Sequence, residues 1–165
     1  MYRVRDKHLE VLIVHPGGPF WAKKDAGSWF IPKGEIGPNE DELSAAKREF
    51  QEETALVVPH HGSFLDLGEV KHKSGKLVRA WAFEGDCNPD DITSNTFSME
   101  WPPKSGKQQS FPEVDRAKFV DLNEAREKIH PAEYELIDRL RGKLGMGSFP
   151  SPEENSATQG TLFGN

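Results

Sequence analysis

Three glutamates, Glu49, Glu52 and Glu53, stand at i, i+3 and i+4. On a helix that spacing puts all three carboxylates on one face within a single turn. Like charges at that density repel unless water, a basic neighbour or a cation compensates, and hard oxygen donors of this kind suit Mg²⁺ or Mn²⁺. Taken alone, the cluster also fits a solvated acidic face. Its surroundings decide between the two.

The elements needed to position these carboxylates can be read outward from them. A helix is expected from about Glu40 to Thr54, capped by Asn39, with Glu42 completing a capping-box-like start and Leu43, Ala46 and Phe50 on the opposite, buried face. The approach to it is a short strand, Trp29-Phe30-Ile31, stopped by Pro32 and followed by a tight loop through Gly34 and Gly37-Pro38. Upstream, residues 9–15 read as a largely buried strand ended by Pro16-Gly17-Gly18-Pro19. Before it, the start at Met1-Tyr2-Arg3 leaves room only for a short or truncated first strand. Downstream, 64–70 and 77–83 form a hairpin around Ser74-Gly75. The polar stretch 87–112 reads as a long loop with one short strand near 97–101. A last strand at 118–121 precedes a helix over 123–129 and another starting at Pro131, whose buried stripe is Leu136, Ile137 and Leu140. From Gly145 the composition turns to Gly, Ser, Pro, Asn and Gln, so one domain over 1–144 and a flexible tail over 145–165 are expected. His60-His61 lacks the companion ligands of a zinc site and reads as a pair of surface loop histidines.

A chain of 165 residues can bury a real core without disulfides, and its longest apolar run, Val11 to Val14, is far too short to cross a bilayer. A single cysteine, Cys87, and no signal-like leader point to a reducing, cytoplasmic setting. The net charge of −6 argues against a broad grip on nucleic-acid polymers. A small phosphorylated molecule is still compatible, because a local group of Lys, Arg or metal dominates over distant screened charge.

The stretch from Gly34 to Leu56 as a whole resembles the box of the Nudix hydrolases: a Gly, five residues, a Glu, seven residues, then Arg-Glu-apolar-x-Glu-Glu-x-Gly-apolar. Here these positions are Gly34, Glu40, Arg48-Glu49-Phe50-Gln51-Glu52-Glu53-Thr54, then Ala55-Leu56. Only the last Gly departs, replaced by Ala55, which implies either an ordinary helical φ or a little strain. Weaker resemblance extends over roughly 2–144. It implies an α/β (α+β) fold, an α/β/α sandwich with a central mixed sheet.

The resemblance also implies an activity: metal-dependent hydrolysis of a phosphoanhydride in a nucleoside diphosphate linked to another moiety, by a monomer or homodimer. Glu52 and Glu53 would hold Mg²⁺ or Mn²⁺, together with a backbone carbonyl near Lys33-Gly34. Glu49 would share the site as ligand or general base, and Arg48 would orient Glu49 or tie the helix to the loop. Glu40 would be structural, favoured by the helix dipole. The family usually adds one more carboxylate from outside the box, and Glu113 is favoured over Glu100. Lys33, Lys23 and Lys24 could meet phosphates, while Trp21 and Trp29, with Phe20 and Trp101, could stack on a base. Pro32-Lys33-Gly34 and the loop lysines look similar to dinucleoside polyphosphate hydrolases. The alternatives are a nucleoside triphosphate pyrophosphatase and a non-catalytic nucleotide-binding domain of the same fold.

Overall fold

The structure is a computed structural model that describes residues 1–59 and 62–147; His60-His61 and 148–165 of the expected tail lie outside them. Strand β2 (His8–Pro16) is the centre. Its alternation places Leu9, Val11 and Ile13 on one face and Leu12 on the other. The first set packs with Leu136, Ile137 and Leu140 of α3 (Pro131–Lys143) and Ala125 of α2 (Leu122–Lys128). Leu12 packs with Phe50 of α1 (Glu42–Thr54), Phe83 and Phe119. Helices therefore lie on both sides of the strand layer, and apolar residues on both of its faces explain why this run reads as continuously hydrophobic.

β2 pairs antiparallel with β1 (Tyr2–Arg5) on one side and β7 (Val114–Val120) on the other. The turn between β1 and β2 uses Asp6 and Lys7, both at positive φ. A parallel bridge from Tyr2 to Glu84 ties β1 to the end of the β3–β4 hairpin (Leu65–Lys71 and Leu77–Ala82), so the arrangement is mixed. The expected strand at 29–31 is reduced to two bridges, Val14 to Phe30 and Trp29 to Ile129.

Several expectations need correction. The stretch 87–112 holds a full hairpin, β5 (Thr96–Glu100) and β6 (Gln108–Pro112), and not one strand in a loop. Its outer positions are exposed and polar, so no buried alternation announces it. The last strand starts at Val114, four residues earlier than its apolar end suggests. Helix α1 starts at Glu42, capped by Asp41, which accepts from the Ser44 N–H, while Asn39 sits at positive φ in the preceding turn. Leu43 and Ala46 are only half-buried, because a cavity of about 340 Å³ separates that part of α1 from β4; Ala45 and Phe50 carry the burial. At the C-terminal end, Leu144 and Met146 still pack on the core. Among the described residues no helix is long and apolar enough to cross a membrane.

Candidate active site

Arg48 joins the loop to the second half of α1. Its guanidinium grips Glu40 through Nε and Nη2, both at 2.9 Å, donates to Glu49 at 2.8 Å and to Glu52 at 3.3 Å, and reaches the Glu35 carbonyl at 2.9 Å. A planar five-donor fork suits this shared role in a way an ammonium would not. The Glu40 and Glu49 hydrogen bonds raise the Arg48 pKa above its ordinary value, so the hub stays charged. Glu40 lies outside α1, and its anchor is Arg48 together with the Gly37 N–H at 2.9 Å, not the helix dipole.

Each carboxylate of the trio has its own holder. Glu49 accepts from the Glu35 N–H at 3.0 Å, and its side chain occupies the space where a Cβ on residue 34 would be: such an atom would lie 1.8 Å from Glu49 Oε2. Gly34 is therefore required by close approach. Glu53 accepts from the Lys33 N–H at 2.9 Å. Burial pushes the Glu53 carboxyl up to about 7, with the Glu49 and Glu113 charges acting in the same direction against the Lys33 hydrogen bond. Glu52 is more open than Glu49, and its backbone carbonyl receives the Asn95 N–H at 3.0 Å.

Glu113 thus acts on Glu53 electrostatically, and its backbone bonds Asn95 on one side and Gly17 on the other. Glu100 is turned to its own hairpin, accepting from Gly106 N–H at 2.8 Å. Among the described residues no three His, Cys, Asp or Glu side chains are grouped closely enough to hold a metal ion together. The donor set still fits Mg²⁺ or Mn²⁺, since Mg²⁺ keeps several waters and uses one or two carboxylates rather than an all-protein cage. At the C-terminal end of α1, Ala55 takes φ 57° and ψ 10°, the left-handed cap a glycine would adopt freely.

Of the expected substrate-binding residues, Lys33 adjoins the site: its ammonium lies 4.0 Å from the Phe30 ring centre and burial lowers its pKa. Trp21 is half-buried, edge-on to Phe30, with the Lys24 ammonium over its ring at 4.4 Å; Lys23 is exposed on the same loop. Trp29, expected to stack on a base, is instead turned into the core. It is 4% exposed, its indole N–H donates to Asp25 at 2.8 Å, and it packs edge-on to the fully buried His15, so it offers no face to a ligand. His15 pins this loop by donating through Nε2 to the Lys24 carbonyl at 2.9 Å, with Nδ1 2.7 Å from Asp115. Phe20, 58% exposed, meets Trp101 edge-on, so the loop and the β5–β6 hairpin form one surface. Glu133, His72 and His130, which carry no sequence motif, also gather beside Lys33.

With this geometry, the family description "NUDIX domain" matches residues 1–140. Solved structures of similar fold include an Ap4A hydrolase of C. elegans in a binary complex (23% identity, TM-score 0.61, covering 88% of this chain and 93% of that one). Another is the NUDIX domain of NrtR from Shewanella oneidensis complexed with ADP ribose (19%, 0.55, 87% and 82%). A third is a MutT protein from Methanosarcina mazei Go1 (16%, 0.52, 87% and 91%). No curated protein matches the chain.

Proposed function

Since the chain belongs to the NUDIX family of pyrophosphohydrolases, we propose that it cleaves a phosphoanhydride in a dinucleoside polyphosphate, with Glu52 and Glu53 holding Mg²⁺ or Mn²⁺. The observation that carries this reading is the Arg48 hub with Gly34, which fixes Glu49 and Glu52 on one face of α1. A divalent ion there supplies charge to neutralise phosphate oxygens and to make water a better nucleophile.

The protein's own groups do the rest. Arg48 fixes Glu49 for use as ligand or base, Glu113 adds negative charge beside Glu53, and Lys33 offers a cation to the phosphate chain. Phe20, Trp21 and Trp101, with Lys23 and Lys24 near them, suit an extended substrate that has aromatic bases at its ends and several phosphates between them. The single Cys87 is half-buried and burial raises its thiol pKa, so it is a poor nucleophile and takes no part in this chemistry.

The test is a screen of dinucleoside polyphosphates, nucleoside triphosphates and nucleotide sugars with each metal, products identified by mass. Release of a mononucleotide together with the complementary nucleoside polyphosphate from a dinucleoside polyphosphate is expected. Preferred conversion of a nucleoside triphosphate to monophosphate and pyrophosphate would replace this substrate class, and tight nucleotide binding without turnover would replace the reaction.

A further inference from the structure

Helix α3 carries a fully buried charge that packing alone would not choose. Glu133 lies a turn before Leu136 and Ile137 on the buried face and is 0% exposed. A carboxylate removed from water needs donors from every side. It has them: the Ile31 N–H at 3.0 Å on Oε2, His72 Nε2 at 3.1 Å on Oε1, and the Lys33 ammonium 3.6 Å from Oε1. The His72 ring stacks on His130 at 4.3 Å, His130 stacks on Phe30 at 5.5 Å, and Lys33 sits over Phe30, which closes a ring of contacts around the loop.

The segment Ile31-Pro32-Lys33 is thereby held between two carboxylates. Ile31 gives its N–H to Glu133, Pro32 has none to give, and Lys33 gives its N–H to Glu53. Proline's fixed φ removes one of the rotations by which the two ends could shift relative to each other. Lys33 is held twice, by Glu53 at its backbone and by Glu133 at its side chain.

We propose that Glu133 is a positioning residue for the reaction: from α3 it sets the Ile31–Lys33 segment, and so both the N–H that holds Glu53 and the ammonium offered to the substrate's phosphates. This rests on the hydrolase reading above. In Glu133→Gln the shape is kept, but the charge is lost and an amide donor faces the Lys33 ammonium.

Two readouts test it. Well below the melting temperature, Glu133→Gln should lower kcat/KM about tenfold or more, as should Lys33→Met, and the double variant should lose clearly less than the product of the two single losses, because part of what Glu133 does runs through the Lys33 ammonium. Independently of activity, amide hydrogen exchange at Lys33 should speed up in Glu133→Gln, although that N–H bonds Glu53 and not Glu133. Unchanged kcat/KM with only a lower melting temperature, or Lys33 exchange equal to wild type, would overturn the proposal. Should Glu133→Gln not fold, His72→Leu removes one donor to the same carboxylate from a turn, and the same two readouts apply: both changed supports the proposal, and either one unchanged overturns it. A wild type that turns over nothing would fail the hydrolase reading and leave the Lys33 exchange to decide this one.

Discussion

Two regions meet at the carboxylates and are built in opposite ways. Gly34–Ala55 supplies nearly all of its own partners: Arg48 reaches Glu40, Glu49 and Glu52, and Glu49 reaches back to Glu35. The other region joins two distant segments, the Gly17–Phe30 loop and the β5–β6 hairpin. They meet where a Cβ on Gly17 would lie 2.0 Å from the Pro112 carbonyl oxygen, where Gly18 faces Phe97, and where Phe20 meets Trp101. Local design fixes which groups can do chemistry; the long-range assembly shapes the surface that selects what reaches them. Substitutions in the first should therefore reach kcat, and those in the second should move KM and substrate preference.

The largest effect is expected from Glu52→Gln and Glu53→Gln, each lowering kcat by about 10²-fold or more with the fold intact, as steady-state kinetics and circular dichroism would show. Near-normal kcat in both would move the metal elsewhere. A glycine pair sharpens the comparison. Gly34→Ala pushes on the Glu49 carboxylate and should lower kcat by roughly 10- to 100-fold, whereas Gly17→Ala pushes the hairpin away and should raise KM several-fold while kcat stays within about threefold. Equal losses of kcat in both would erase the distinction.

The same contrast governs what could be read from the sequence. Glu49, Glu52, Glu53 and Arg48 were legible because helical spacing fixes their relative positions before any tertiary contact forms. The α3 stripe was legible for the same reason. Trp29 was not, since its indole serves the core through Asp25 and His15, partners that no local pattern names. Glu133 went unseen because a lone Glu on a helix carries no signal until Ile31, Lys33 and His72 arrive from elsewhere. The polar β5–β6 hairpin lacks the one-sided burial that marks a strand, and the helix start moved because Asp41 and Asn39 are both competent caps.

Smaller effects concern stability. Burial raises the Glu53 pKa from 4.5 to about 7, so the folded, metal-free protein keeps a proton that the unfolded chain releases. That contribution is complete below about pH 4.5 and is lost as pH rises through about 7. Thermal melts of metal-free protein should therefore fall over this window, and Glu53→Gln should flatten the profile; an equally steep profile in the variant would place the proton on another group. Smallest is Ala55→Gly, which relieves the left-handed φ and should stabilise by about 1 kcal/mol, roughly 2–4 °C in Tm, with kcat unchanged. A lower Tm would mean that Ala55 is unstrained.

The central claim, that the glutamate face of α1 acts through a divalent ion, is tested most directly by turnover of the best substrate before and after exhaustive EDTA treatment and dialysis. Activity should be abolished and should return on adding Mg²⁺ or Mn²⁺ to wild type, but not to Glu53→Gln. Turnover that survives chelation undiminished would contradict it.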